Sequence, residues 1–147
     1  MGENRGELLE LCAEAGNDLI VGNGFLFDAA MNEVAPNYPD LNFAITDGVA
    51  EPSNVRGMLF KHAEGSYLAG IAAALKTKTN NVGFIGGVDF PLIHEFEQGF
   101  LAGVAEINPD IVVQIGYASV PPDFSGFNDP VKGLSLIHIS EPTRRYF

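Results

Sequence analysis

The sequence predicts an α/β fold of alternating strand and helix units with parallel sheets. Three observations lead there. Short continuous apolar runs recur along the chain: DLIVG (18–22), NFAIT (42–46), VGFIG (82–86) and IVVQIGY (111–117). Segments with apolar residues at helical spacing lie between them. The runs are short and unbroken, which suits burial on both faces of a parallel sheet with right-handed crossovers.

Taken in order, 5–15 places Leu8, Leu11, Cys12 and Ala15 on one helical face, and Gly16 is a plausible stop. The strand at 18–22 runs into Gly-Asn-Gly. Phe27, Ala30, Met31 and Val34 form one face of a second helix, which Pro36 helps to end. The strand at 42–46 meets Asp47-Gly48, 49–56 reads as loop, and GMLFK (57–61) reads as a further strand. A helix rich in small residues spans 64–75, with Tyr67, Leu68, Ile71 and Leu75 on one face. After the strand at 82–86, Ile93, Phe96, Phe100, Val104 and Ile107 make a clear helical stripe. The strand at 111–117 is followed by irregular, proline-containing chain.

Composition bounds the function. The chain has 147 residues, enough for a real core. It is 46% hydrophobic and only 18% charged, as a globular protein is. Its net charge of −11 argues against nucleic acid, which needs a cationic face, and against an anionic membrane surface. The single cysteine, Cys12, permits no internal disulfide and sits in a helical pattern, where a small buried hydrophobe is the simplest reading. The start, MGENRGELLELC, has no basic flank before an apolar run and does not read as a signal peptide. No run reaches the roughly 18 apolar residues of a membrane span.

Motifs for catalysis and cofactors are missing. VGNGFLFD supplies Gly22 and Gly24 of a dinucleotide fingerprint, but Asp28-Ala29 follow where the third glycine would help. No phosphate-cradling G-x-x-x-x-G-K-[ST] and no G-x-S-x-G elbow occurs. His62, His94 and His138 are scattered without metal-ligand spacing, and the acidic residues of HEFE (94–97) suit a helix start better than a metal. No cofactor is expected.

In open α/β sheets, ligands sit beyond the C-terminal strand ends. Here those ends read Gly22-Asn23-Gly24-Phe25, Thr46-Asp47-Gly48 and 86–90, GGVDF. Asp47 and Asp89 can accept hydrogen bonds from hydroxyls, and Phe25 and Phe90 can stack on flat rings. Gly86-Gly87 would let the backbone pass close to a ligand. Each residue alone also fits an ordinary role: Asp47 in a turn, Asp89 capping the helix near Pro91, either phenylalanine in the core. Their common placement at strand ends favours a cleft for a neutral polar ligand.

The segments IVGNGFLFDAAMNEVAPNYPDLNFAITDG, FKHAEGSYLAGIAAALKTKTNNVGFIGGVDFPLIHEFEQGFLAGVAEINPDIVV and NDPVKG resemble the basic membrane protein family, also called the purine nucleoside receptor family, of ABC-transporter substrate-binding lipoproteins. The resemblance covers about 6–133. Its most specific parts are EGSYLAG (64–70) and the following GFIGGVD (83–89), in family order and spacing. It implies a two-lobe fold of the type I periplasmic-binding-protein kind that closes on a nucleoside, an ABC permease as partner, no enzymatic activity, and an extracytoplasmic, lipid-anchored location. Carried over by position, Gly24, Phe25 and Asp47 would line the first lobe's side of the cleft, and Asp89 and Phe90 the second lobe's side. The implied organisation is a partial first lobe with its crossover helix at 1–75 and a partial second lobe at 76–133.

The sequence departs from the family at its ends. It lacks the N-terminal D-x-G-x-x-D-x-S-F-N segment that supplies major ligand contacts, the acylated cysteine, and the C-terminal half of the second lobe. The implied chain is an internal piece. The tail LSLIHISEPTR (134–144) resembles a translated sequencing-library adapter, so 134–147 is expected to be non-native and poorly packed. Two rival readings share the α/β pattern. A ligand-sensing domain of a transcription regulator would be accompanied by a DNA-binding helix-turn-helix, and a small flavodoxin-like enzyme would need a phosphate loop.

Overall fold

The computed structural model describes residues 4–140. The chain divides into two compact units, 1–60 and 61–147. The division falls before the helix read at 64–75, which the family resemblance assigns to the first lobe. That helix packs against the helix following the next strand, so its burial partners lie in the second unit.

In the first unit, α1 (Arg5–Glu14), β1 (Leu19–Asn23), α2 (Asp28–Val34), β2 (Asn42–Thr46) and β3 (Val55–Met58) follow one another. The strands form a parallel sheet in the order β1-β2-β3, with Leu19 opposite Asn42 and Phe43 opposite Val55. Leu9 and Ala13 of α1, Met31 and Val34 of α2, and Ile20, Phe43 and Ile45 of the sheet make one core. The expected burial of strands on both faces holds for β2, where Phe43, Ala44 and Ile45 are all buried. It does not hold for β1: burial alternates, and Leu19 and Val21 are 57% and 52% exposed. Both helices cover the face that carries Ile20. Cys12 is exposed, not buried, since α1 buries the face of Leu9 and Ala13.

The third strand lies two to three residues earlier than the apolar pattern predicts. Backbone pairing with β2 selects Val55–Met58, while Leu59 and Phe60 are 68% and 59% exposed. Asn54 helps to set this register. Its Nδ2 donates to the carbonyls of Ala35, Tyr38 and Leu41 at 3.0–3.1 Å, tying the loops that flank β2 and β3.

The second unit contains α3 (His62–Lys76), β4 (Asn81–Gly86), α4 (Pro91–Ile107), β5 (Val112–Tyr117) and α5 (Pro130–Ser140). β4 and β5 pair in parallel, Asn81 opposite Val112 and Gly86 opposite Tyr117. Ala74, Phe100, Val104 and Ile111 form its core, with Phe84 packed against Phe100 at 5.8 Å between rings. Glycines bring α3 and α4 into backbone contact. A Cβ at Gly70 would lie 2.1 Å from Phe100 O, one at Gly99 2.2 Å from Ala63 O, and one at Gly103 2.0 Å from Tyr67 O. Gly70 and Gly103 thus replace side-chain interdigitation with a close helix crossing.

The tail enters α5. Leu136 reaches Gly116 of β5, but Val131, Leu134 and Ile137 are 76%, 58% and 45% exposed, so the helix is thinly packed. The remainder of the tail, 141–147, lies outside the described residues. No helix among the described residues is long and apolar enough to cross a membrane.

Candidate functional site

Both sheets are parallel, so within each unit all strand C-termini emerge at one edge. In the first unit this edge brings Gly24, Phe25 and Asp47 together, because Asn23 and Thr46 are paired residues of β1 and β2. Gly24 has φ 101° and ψ 152°, which an L side chain rarely adopts, and nothing lies within 4 Å of where its Cβ would be. Its N–H donates to Thr46 Oγ1 at 2.8 Å, and that hydroxyl donates to Asn23 Oδ1 at 2.8 Å. Phe25 opens a short 3-10 turn, Phe25–Phe27, and is half-buried. Phe27, not Phe25, packs against the first core. Asp47 is half-buried in the left-handed region at φ 59°, which aspartate tolerates better than most residues. Its N–H donates to Met58 O at 2.8 Å, carrying the β2–β3 ladder one residue beyond β2.

In the second unit, Asp89 and Phe90 follow β4 at the same kind of edge. Gly86 and Gly87 serve the protein's own packing, a correction to the expectation that they clear space for a ligand. A Cβ at Gly86 would meet the Tyr117 ring at 2.6 Å, and one at Gly87 the Phe127 ring at 2.5 Å. Ser119 secures this loop: its Oγ donates to Gly87 O at 2.8 Å and accepts from Gly126 N–H at 3.2 Å, while its carbonyl accepts from Asp89 N–H. Phe90 is the N-cap residue of α4, its ring edge-on to Phe124 at 6.0 Å. Asp89 therefore does not cap the helix. Its carboxylate instead meets His94, with Oδ1 2.7 Å from Nε2.

His94, Glu97, Tyr117 and Ser119 are the residues at this edge that sequence reasoning missed as site components. The Tyr117 hydroxyl donates to Glu97, and the His94 ring stands edge-on to Tyr117 at 5.6 Å. Desolvation, reinforced by the Glu97 carboxylate and then by Asp89, holds the Tyr117 phenol well above the ordinary tyrosine range. HEFE is thus not a dipole-stabilising pair, since the first turn of α4 has no acidic residue and Glu97 looks back to β5. Spacing alone could have flagged His94, three residues into the helix that follows Asp89. Nothing in the sequence could have paired Glu97 with Tyr117, twenty residues apart. Glu64, in the EGSYLAG segment, forms an exposed ion pair with Lys61 at 2.6 Å.

Among the described residues no group of three or more His, Cys, Asp or Glu side chains could hold a metal. A separate groove of about 500 Å³ runs along α3 and α4, lined mainly by Ala63, Tyr67, Leu68 and Ala102. None of the strand-end residues Gly24, Phe25, Asp47, Asp89 and Phe90 lines it. The strand edges carry the donors, acceptors and rings that would suit a polar ligand.

Residues 1–133 match the family model described as Bmp, ABC transporter substrate-binding protein PnrA-like. The chain is 40% identical over 124 residues to the ABC transporter nucleoside-binding protein BmpA of Lactococcus lactis, covering 84% of this chain and 34% of that protein. It is 42% identical over 112 residues to the CD4+ T-cell-stimulating antigen of Listeria monocytogenes, covering 76% and 31%. Among solved structures, an ABC transporter solute-binding protein from Aeropyrum pernix superposes with a TM-score of 0.65 at 28% identity, over 81% of this chain and 36% of that one. The chain spans about a third of the length of these relatives. It belongs to the Bmp family of PnrA-like ABC-transporter substrate-binding proteins.

Proposed function

We propose that this chain is part of the substrate-binding component of an ABC importer and that the whole protein takes a purine nucleoside between two lobes. The observation that carries the proposal is the repeated set at the strand C-termini: Phe25 with Asp47 at one sheet edge, Phe90 with Asp89 at the other. A nucleoside asks for this chemistry. Its ribose hydroxyls donate to carboxylates, and its flat base stacks on an aromatic face. The 40%-identical Lactococcus lactis relative carries the name of a nucleoside-binding protein, which supports the same ligand class.

The mechanism proposed is reversible capture. The two lobes close on the ligand, open again, and release it to a membrane permease. No bond is made or broken, so no general acid, base or nucleophile is required. The whole protein is proposed to act outside the cytoplasm, held by a lipid anchor as in the lipoproteins the sequence resembles. The segment from Leu134 onward is proposed to be foreign to the receptor. The family match ends at residue 133, and α5 leaves most of its apolar residues in solvent.

The test is calorimetric titration of the receptor-length protein that carries this segment with adenosine, guanosine and inosine. At least one should bind at micromolar or tighter affinity, about −8 kcal/mol. Absence of heat with all three, in a folded protein, would remove the nucleoside from the proposal.

A further inference from the structure

Asp89 is the last member of a chain of side chains drawn from three elements. It lies in the β4–α4 loop, His94 and Glu97 lie on α4, and Tyr117 ends β5. Glu97 holds the Tyr117 hydroxyl, the Tyr117 ring stands against His94, and His94 Nε2 meets Asp89 Oδ1 at 2.7 Å. Tyr117 also touches the position a Gly86 Cβ would occupy, so its ring is fixed from below by the backbone of β4.

The His94 and Asp89 side chains are 41% and 46% exposed. Ion pairs with that much solvent contribute little to stability. What the contact does control is orientation. A carboxylate at the end of a strand can rotate about two torsions, and a ligand that needs one orientation must pay the entropy of selecting it. With one oxygen held by His94, the orientation is set in advance, and the second oxygen remains able to accept a hydroxyl.

We infer that His94 is a positioning residue for the ligand: braced by Tyr117 and Glu97, it holds Asp89 in the orientation that receives a ligand hydroxyl. The inference rests on the reading of Asp89 as a ligand acceptor, and the experiment separates the two. The receptor-length protein is titrated with adenosine, guanosine and inosine as wild type, Asp89→Ala, His94→Ala, His94→Gln and the double variant Asp89→Ala/His94→Ala. Glutamine carries a donor at nearly the reach of Nε2.

The expected result is that His94→Ala weakens binding about tenfold. His94→Gln should stay within about twofold of wild type, and the double variant should bind no more weakly than Asp89→Ala alone, because contacting residues acting on one ligand group are not additive. If Asp89→Ala weakens binding but His94→Ala does not, or if the two losses simply add, the positioning role is overturned and the Asp89 reading survives. If Asp89→Ala binds like wild type, the reading and the inference fall together. Should His94→Ala fail to fold, a folded His94→Gln protein that has lost tenfold in affinity also overturns the inference.

Discussion

Exchanging glycine for alanine at two places in the second unit should change stability in opposite directions. Gly103 of α4 crosses α3 so closely that a Cβ would lie 2.0 Å from Tyr67 O. Real contacts of this kind begin near 3 Å, so the helices must part by about 1 Å. The obstacle is a carbonyl inside a helix and cannot swing aside. Parting the helices also loosens the Gly70–Phe100 and Gly99–Ala63 approaches, which belong to the same seam. Overpacking costs about 1–3 kcal/mol, and a backbone obstacle places this case at the upper end. Alanine returns up to about 1 kcal/mol of helix propensity. The net loss is about 2 kcal/mol, or a fall in Tm of about 4–8 °C for a chain of this size. Gly65, on α3, has nothing within 4 Å of its Cβ position. There only propensity acts, and Gly65→Ala should raise Tm by about 2 °C. Thermal unfolding followed by far-ultraviolet circular dichroism reads both. A Gly103→Ala protein as stable as wild type would refute the close crossing of α3 and α4.

Phe25→Ala in the receptor-length protein should lower nucleoside affinity while leaving Tm nearly unchanged, whereas Phe43→Ala, whose ring is only 2% exposed, should cost about 3–5 kcal/mol of stability. Calorimetry and thermal melts on the same samples distinguish stacking from core packing. Ser119→Ala strips partners from the Gly87 carbonyl and the Gly126 N–H beneath a 4%-exposed side chain, and urea unfolding should register a loss of about 1–3 kcal/mol. Absorbance at 295 nm during alkaline titration should show Tyr117 ionising above the ordinary tyrosine value near 10, and Glu97→Gln should bring it partly back. Because the folded-state value is raised, the stabilisation is complete below about pH 10 and is lost as pH rises beyond it.

Much of the fold was legible in the residues. Continuous apolar runs located β1, β2, β4 and β5, and the stripe from Ile93 to Ile107 located α4, because burial imposes a period on sequence that needs no tertiary information. The same reading named Gly24, Phe25, Asp47, Asp89 and Phe90, since strand ends in parallel sheets are predictable once the strands are. The position of β3 was not legible: Val55-Arg56-Gly57-Met58 has no strong apolar signal and is selected by pairing with β2 and by the Asn54 clip. Nor was the purpose of the glycines. Gly86, Gly87 and Gly103 read identically in a sequence, yet one yields to Tyr117, one to Phe127 and one to a neighbouring helix. The chain from Glu97 through Tyr117 and His94 to Asp89 likewise exists only after β4, α4 and β5 have come together, because a hydrogen bond between side chains twenty residues apart leaves no periodic trace. Residue type and spacing therefore determined which groups stand at the strand edges, while packing in three dimensions decided what each of those groups touches.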